Sequence, residues 1–459
     1  MSDLDTRAVP AGAPLLRRAA PALLGYAAVR ALGLAVLAGW SAARGKSAYT
    51  LLTARWDSLW YTRVAELGYG YEVRLPNGDV HSNLAFFPLL PWLERLLHAV
   101  APLSYADAGF VVSLLASLAA AAGIFAVADR LYGSRAGFFA VLLWAVLPVG
   151  IVQSMAYSES LFTALAAWSL YAVLTGRWVS AGLLAALAGL TRPVGAAVVA
   201  AVWTAGVISF VRERGARHAP GAHPDAHAPG AHRPDGHAPD THRPDGRTLG
   251  AHGLDGHTSG TRTPGTHGPG GRSHAQAPGG PAVAPAGSSA PGAPAWRRAL
   301  GMLLAPLGAA GYVLWVGHRT GAGPLGYLDV QAGWRNGFDG GYAFARFVAG
   351  RFTSFPSALA GLGLIAGVAL LIWLYVTCVR RRQPAAPLVY TGVVLALALC
   401  ASSYFGSKPR LLMPAFPLLL PLARALARSR PPVAALVTAV LAGAAAVYGA
   451  FWLNGSGPP

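Results

Sequence analysis

The chain has 459 residues, of which 54% are hydrophobic and only 12% are charged, and its mean hydropathy is +0.44. This composition excludes an ordinary soluble protein, because a soluble chain of this length carries many more charged residues on its surface. The formal net charge of +18 suggests a nucleic-acid partner, but the arginines fall in short loops and in one low-complexity segment, without a nucleic-acid-binding motif. The sequence therefore predicts an all-α, polytopic membrane protein with no nucleic-acid partner.

The first predicted elements set the topology. Residues 1–20 are polar and include Arg7, Arg17 and Arg18, which places the N-terminus in the cytoplasm by the positive-inside rule. A first span at about residues 21–42 then delivers a loop, 43–106, to the outer face of what we expect to be the plasma membrane.

Apolar segments long enough to cross a bilayer recur through the rest of the chain. Counting them gives about eleven transmembrane helices, with the C-terminus outside. After the first, the predicted spans lie at about 107–128, 136–156, 159–175, 178–192, 194–211, 297–316, 357–379, 386–404, 411–427 and 432–453.

The span pattern stops between residues 213 and 296, where the chain is rich in Gly, Pro, His and Arg. Such a composition predicts a disordered cytoplasmic insertion between two membrane regions, 1–212 and 297–459. The insertion holds 10 of the 13 histidines, so it is either a metal-binding segment or a tolerated low-complexity insertion. Cys378 and Cys400 lie inside apolar segments and indicate neither a disulfide framework nor a metal site.

The longest polar interruption of the first half runs from residue 55 to 91, and its first part predicts a helix. Apolar side chains recur on one face of WDSLWYTRVAELG at helical spacing, which predicts an amphipathic helix lying on the membrane surface; they are Trp56, Leu59, Trp60, Val64 and Leu67. Asp57 and Glu66 are nine residues apart and project about 180° from each other. This geometry favours one general base over a carboxylate pair, and Asp57 is the candidate because aromatic side chains surround it. The alternative is that Asp57 only caps the helix.

Three basic side chains stand at the outer ends of predicted spans, where the positive-inside rule does not call for them. They are Arg192 in LTRPVG, and Lys408 and Arg410 in FGSKPRLLMP. A lipid-linked phosphate at the membrane surface is one partner for such cations, and simple extension of the side chains to the interface is the alternative. Glu159 in AYSESLF begins another span at the same face; it either complements the helix dipole or faces the site.

These stretches resemble a known family. RWDSLWYTRVAELGYG followed by HSNLAFFPLLP is similar to the first luminal loop of the PIG-V type GPI mannosyltransferases and their bacterial relatives, and AYSESLF, LTRP and SKPRLLMP resemble later motifs of that family in the same order. The resemblance implies a GT-C fold with an extracytoplasmic active site. It also implies a polyprenyl-phosphate sugar donor, usually of mannose, and a lipid or glycan acceptor.

By the same resemblance Asp57 is the general base, and Arg192, Lys408 and Arg410 contact the donor phosphate. Further candidate substrate contacts are Trp56, Tyr61, Glu66, Tyr69, His81 and Glu159. No cofactor and no metal ligand is predicted, and the absence of a Gly-rich phosphate loop agrees with a donor that arrives in the lipid.

A polytopic transporter or lipid flippase is the alternative from another class. It predicts ionisable side chains in the middle of spans and broken helices in corresponding halves of the chain. Almost all charges here lie instead at span ends or in outer loops, which favours the glycosyltransferase.

Overall fold

A computed structural model describes residues 14–217, 294–455 and 457. Most of the predicted insertion and the N-terminal Arg7 therefore lie outside the described residues. Nine α-helices precede the insertion: α1 Leu15–Ala43, α2 Ala48–Thr53, α3 Asp57–Leu67, α4 Leu89–Val100, α5 Tyr105–Tyr132, α6 Ser134–Ala145, α7 Ser158–Leu174, α8 Trp178–Gly189 and α9 Ala196–Arg217. Nine follow it within the described part: α10 Ala295–Leu304, α11 Leu307–Thr320, α12 Gly326–Gly333, α13 Tyr342–Ala349, α14 Phe355–Arg380, α15 Ala385–Cys400, α16 Lys408–Leu411, α17 Leu420–Arg428 and α18 Pro431–Leu453.

The predicted all-α membrane fold is confirmed. Among the described residues, six helical segments are long and apolar enough to cross a membrane: Leu15–Ala43, Tyr105–Tyr132, Pro193–Gly215, Ala295–Thr320, Phe355–Arg380 and Pro431–Leu453. A bent pair, Phe405–Leu411 with Phe416–Arg428, makes a seventh if it is counted as one span, and four shorter apolar helices accompany them. The count of eleven spans stays a prediction.

Besides 297–316, where α10 and α11 are separated only by Ala305 and Pro306, two predicted spans are not continuous helices. The segment predicted at 136–156 ends its α-helix at Ala145 and continues as a 3₁₀ turn, Gly150–Ser154. The segment predicted at 411–427 is interrupted, and its two helical parts meet at 71°. Prolines explain both breaks, since each removes a backbone donor and clashes with the preceding turn; they are Pro148, Pro414 and Pro417.

Small residues pack the membrane regions before and after the insertion against each other. A Cβ atom at Gly182 of α8 would overlap the backbone of Gly301 in α10, and one at Gly308 of α11 would overlap the backbone of Ala186. Such close helix contacts through small residues are typical of membrane proteins. They bring the end of α8, where Arg192 follows, beside α11.

Four short strands form two small antiparallel sheets in the described part of the chain. β1 Glu72–Arg74 pairs with β2 Val80–Ser82, with Glu72 opposite Ser82, and β3 Gly337–Phe338 pairs with β4 Ala401–Ser402. The first hairpin turns at Gly78, whose φ of +87° suits glycine. This hairpin lies between α3 and α4 in the chain and carries His81.

Candidate active site

The start of α3 is a fixed and strained piece of backbone. Trp56 precedes the helix with a φ of +53°, a conformation that non-glycine residues rarely adopt outside functional sites. The Arg55 guanidinium lies 3.9 Å from the centre of the Trp56 ring and donates to the Leu453 carbonyl at 2.8 Å, which ties this turn to α18. The Ser58 hydroxyl donates to the Arg55 carbonyl at 2.7 Å. The turn therefore presents Asp57 in one defined position.

Asp57 does not cap α3. It is the first residue of the helix, and Trp56, which occupies the capping position, makes no side-chain capping bond. Asp57 Oδ2 instead forms an ion pair with Arg410 Nη1 at 2.7 Å, and the Asp57 side chain is 24% exposed. The capping interpretation is thus wrong, because the carboxylate is engaged by a cation from the other half of the chain.

Four charged side chains form one alternating cluster, which we call the charge network: Asp57, Arg410, Glu159 and Arg192. Arg410 Nε lies 3.6 Å from Glu159 Oε1, and Arg192 Nη1 forms an ion pair with the same carboxylate oxygen. Glu159 is only 1% exposed, so it meets its two arginines out of water. The two negative carboxylates and the two positive guanidinium groups compensate each other's charge, as buried charged groups require.

Helix ends bring the network together. Glu159 lies in the first turn of α7, as the sequence predicts, and it also faces the site, so both interpretations of this residue hold. Arg192 stands in the turn after α8, just before a 3₁₀ turn that begins at Pro193. Arg410 lies in the four-residue helix α16, inside the proline-interrupted segment. Each cation therefore sits where the chain leaves a regular helix.

Aromatic and hydroxyl side chains pack around the charge network. The Arg410 guanidinium lies 5.1 Å from the centre of the Tyr157 ring, a cation–π contact. The Tyr61 and Ser158 hydroxyls are 2.7 Å apart, and Ser113 donates to the Tyr157 carbonyl at 3.0 Å. Tyr61 was a candidate from the sequence. Tyr157 was missed as a site residue, although it stands next to SES in the AYSESLF motif.

Lys408 does not join the charge network. Its ammonium donates to the carbonyls of Ala398 at 2.8 Å and Ala401 at 2.7 Å, at the end of α15. The rings of Phe344 and Phe405 flank it at 5.3 and 5.5 Å. Lys408 therefore satisfies carbonyls at the end of α15, and the structure groups two of the three predicted cations, Arg192 and Arg410.

The predicted lipid-facing stripe of α3 is not continuous. Leu59 and Leu67 are exposed, but Val64 is buried against the protein and Trp60 packs on Phe86. The helix lies against α4, from which Arg95 donates to the Ala65 carbonyl at 2.8 Å. Part of the predicted stripe is thus packed against the protein, and the position of α3 at the membrane surface stays a prediction.

The remaining candidates from the first outer loop lie away from the charge network. Glu66 is exposed near the end of α3. The Tyr69 hydroxyl donates to the Phe86 carbonyl at 2.8 Å, and the His81 ring stacks on Trp334 at 4.0 Å. Tyr69 thereby supports the AFFP turn, while His81 joins a separate group of aromatic rings.

An apolar cavity of about 760 Å³ lies beside the site. Tyr69, Pro88 and Trp92 form one side, and side chains of α8 and α11 form the others; they include Leu183, Leu187, Leu190, Leu307, Tyr312 and Trp315. Leu190 stands two residues before Arg192, and its carbonyl accepts a hydrogen bond from the Leu89 backbone N–H at 3.0 Å. The cavity wall therefore includes a residue that is close to Arg192 in the chain.

The described residues contain no group of three or more His, Cys, Asp or Glu side chains that could hold a metal ion. Of the network's four members only the two acids are of a metal-ligating type, and arginines already engage both carboxylates.

Comparison with known proteins gives one family match. Residues 83–219 match the family described as dolichyl-phosphate-mannose-protein mannosyltransferase. The match relates this chain to the GT-C glycosyltransferases. The matched segment contains Glu159 and Arg192 but not Asp57 or Arg410.

Two solved structures are also similar. They are ArnT from Cupriavidus metallidurans in the apo state, with a TM-score of 0.42, and the same protein bound to undecaprenyl phosphate, with a TM-score of 0.46. Both are 15% identical; the alignments cover 81% and 90% of this chain and 54% and 63% of those chains. The present chain thus spans less than two thirds of the length of those proteins. No curated protein sequence matches it.

Proposed function

We propose that this protein is a membrane glycosyltransferase that moves a sugar from a polyprenyl-phosphate donor to a hydroxyl of a lipid or glycan acceptor. The observation that carries the proposal is the charge network, in which the partly exposed carboxylate of Asp57 pairs with Arg410, and Arg410 and Arg192 share the buried carboxylate of Glu159. Mannose is the sugar that the sequence resemblance implies. The description of the matched family names the same sugar on a dolichyl-phosphate donor, which supports this choice.

In the proposed reaction the acceptor hydroxyl attacks the anomeric carbon of the donor sugar. The bond from that carbon to the phosphate oxygen breaks, a bond to the acceptor oxygen forms from the opposite face, and Asp57 takes the hydroxyl proton. Charge grows on the departing phosphate, and the guanidinium groups of Arg410 and Arg192 stabilise it. The products are free polyprenyl phosphate and a glycosylated acceptor with inverted anomeric configuration.

The resting network adds a condition to this reaction. Arg410 is already bonded to Asp57, so a donor phosphate competes with that carboxylate for the same guanidinium. Once the phosphate has bound Arg410, the Asp57 carboxylate is released toward the acceptor hydroxyl. Glu159 stays with Arg192 throughout, because its burial makes an unpaired charge there costly.

The apolar cavity supports the choice of a lipid-linked donor. Its walls are almost wholly apolar, and they reach the turn that carries Arg192. An isoprenoid chain lying in this cavity buries apolar surface while its phosphate stands at the charge network.

Labelled donors test the proposal directly. Proteoliposomes containing the protein are supplied with radiolabelled polyprenyl-phosphate mannose, glucose or arabinose and a lipid and glycan extract, and transfer of the label is measured. We expect transfer from the mannose donor, with inversion at the anomeric carbon. Absence of transfer from all of the donors contradicts the proposal, and transfer of another sugar corrects its substrate.

The proposed site lies on the extracytoplasmic face of the plasma membrane, with the N-terminus in the cytoplasm. A reporter inserted after Gly78 should be accessible from outside, and one near residue 250 should be accessible only from the cytoplasm. The reverse result contradicts this orientation.

One observation favours the transporter alternative. The helices Phe405–Leu411 and Phe416–Arg428 meet at 71°, and broken helices line the binding sites of many transporters. Transport leaves the lipid-linked sugar intact, whereas transfer releases polyprenyl phosphate. Measuring that product in the same proteoliposomes separates the two activities.

A further inference from the structure

Five rings, four from the first outer loop and one from the residue after α12, pack together into what we call the aromatic wall: Trp60, Tyr71, His81, Phe86 and Trp334. Trp60 lies parallel to Phe86 at 5.6 Å between ring centres, and Trp334 meets Trp60 edge-on at 4.9 Å. His81 stacks on Trp334 at 4.0 Å, and Tyr71 lies 5.7 Å from Trp60. Residues far apart in the chain thus build one aromatic cluster, in which Phe86 is buried beneath the partly buried Trp60 and Trp334.

The aromatic wall begins at the charge network. Trp60 lies about one helical turn after Asp57 on α3. The Phe86 ring meets the Tyr61 ring edge-on at 5.2 Å, and the Tyr61 hydroxyl contacts that of Ser158, the neighbour of Glu159. A molecule lying along the wall therefore has one end beside the proposed base.

The far end of the aromatic wall is open and has polar groups at its edge. Tyr71 is 37% exposed, and the Arg63 guanidinium lies 3.9 Å from its ring centre. Asp79 and Arg335 form an ion pair of 2.6 Å near His81. The Trp334 indole N–H donates to the Ser82 carbonyl at 3.0 Å, which fixes the orientation of that ring.

His81 is suited to lie against a neutral ligand. Burial lowers the pKa of this imidazole; the nearby Asp79 opposes the effect and Arg335 adds to it. The ring is therefore neutral near pH 7, with one nitrogen able to donate and the other to accept a hydrogen bond.

We propose that the aromatic wall binds a sugar ring of the acceptor, so that the acceptor is a glycan or glycolipid whose saccharide lies next to the reacting hydroxyl. This inference rests on the proposed function for the assignment of that hydroxyl. The C–H edges of a pyranose carry partial positive charge and lie favourably against the negative face of an aromatic ring. The guanidinium and imidazole groups at the edge of the wall are donors for the sugar hydroxyls.

Trp334 is the residue to vary, because it belongs to the wall and not to the charge network. Purified protein in nanodiscs is mixed with methyl mannosides of one to three sugar units, and binding is measured by saturation-transfer NMR, which needs no transfer reaction. We expect Trp334→Ala to weaken binding about tenfold. Trp334→Phe, which keeps an aromatic face, should bind within about twofold of wild type. Tyr342→Ala removes a 68% exposed ring outside the wall and should change nothing.

Each other outcome overturns the inference. These are no binding of the mannosides by the wild type, equal binding by Trp334→Ala, equal loss in Tyr342→Ala, or a Trp334-dependent site that takes a peptide and no saccharide. Where transfer is measurable, the acceptor KM should rise in Trp334→Ala while kcat is unchanged. If the protein binds mannosides in a Trp334-dependent way but transfers sugar from none of the donors, the proposed function is contradicted and the saccharide-binding site is still supported.

Discussion

The Arg410 guanidinium holds the Asp57 carboxylate at 2.7 Å, although the two residues belong to opposite halves of the chain. The same guanidinium lies 3.6 Å from Glu159, so one cation joins a carboxylate that is 24% exposed to one that is 1% exposed. This difference in exposure assigns different tasks to the two acids. Of the two acids, Asp57 is the one open to a molecule from outside, whereas Glu159 is buried between Arg192 and Arg410.

Replacing Arg410 by lysine tests whether its forked donor set binds the phosphate. Lysine keeps the charge but cannot bond two groups in the planar geometry of a guanidinium. We expect Arg410→Lys to weaken binding of polyprenyl phosphate about 10- to 100-fold, since hydrogen bonds to charged groups are worth about 1.5–3 kcal/mol. Binding of tritiated polyprenyl phosphate to the protein in nanodiscs measures the change.

Arg424→Lys is the matched control for this experiment. Arg424 lies against the Tyr132 ring and contacts no member of the charge network. Its variant should bind the lipid as the wild type does. Unchanged affinity in Arg410→Lys would mean that Arg410 does not contact the phosphate.

Lys408 is expected to act on stability alone. Its ammonium bonds two carbonyls at the end of α15, and Lys408→Met leaves both without that partner. We expect a clear drop in Tm, with the affinity for polyprenyl phosphate unchanged, because removing a partner of buried polar groups costs about 1–3 kcal/mol for each. Thermal denaturation and lipid binding are measured on the same sample. Weaker lipid binding at unchanged Tm would restore the phosphate contact that the sequence predicts.

Glu94 gives the folded protein a specific dependence on pH. Its side chain is 1% exposed, and neither carboxyl oxygen has a hydrogen-bond partner among the residues that the structure describes. Burial raises the pKa of this carboxyl well above its ordinary value of 4.5. The pKa of this carboxyl is therefore higher in the folded protein than in the unfolded chain. At a pH between the two, the folded protein keeps a proton that the unfolded chain has released, so the free energy of unfolding falls as the pH rises above 4.5.

Glu94→Gln removes this ionisable group. We expect the wild-type Tm to fall between about pH 5 and pH 8 and the Glu94→Gln Tm to stay flatter over the same range. Thermal denaturation at several pH values measures both slopes. Glu66→Gln, which changes an exposed glutamate of the same loop, should keep the wild-type slope. Parallel curves for Glu94→Gln and wild type would show that Glu94 carries its charge in the folded protein.

Hydropathy and motif order were enough to predict the fold. Long apolar segments have few alternatives to helices in a bilayer, so α1, α5 and α14 lie close to their predicted positions. Asp57, Glu159, Arg192 and Arg410 were all named as candidates from the sequence, and the structure brings these four together. Their partners could not be predicted, because ion pairs between helix ends depend on how the spans pack.

Other features were beyond sequence reasoning for physical reasons. Helical periodicity assigned Val64 to a lipid-facing stripe, but packing against neighbouring helices buries it. Lys408 lies beside Arg410 in one motif, yet backbone carbonyls that no motif encodes hold its ammonium away from the network. Trp334 is about 250 residues from His81 in the chain, and only the fold places it against Trp60 and His81.

Asp57→Asn tests the central claim most directly, because it separates binding of the donor from the chemical step. Asparagine cannot take the acceptor proton, so transfer from the labelled polyprenyl-phosphate sugar should fall by about 10²- to 10⁴-fold. The same change removes the carboxylate that competes for Arg410, so the affinity for polyprenyl phosphate should stay equal to that of wild type or increase. Two results would contradict the account: sugar transfer by the Asp57→Asn variant at the wild-type rate, or loss of the variant's affinity for polyprenyl phosphate.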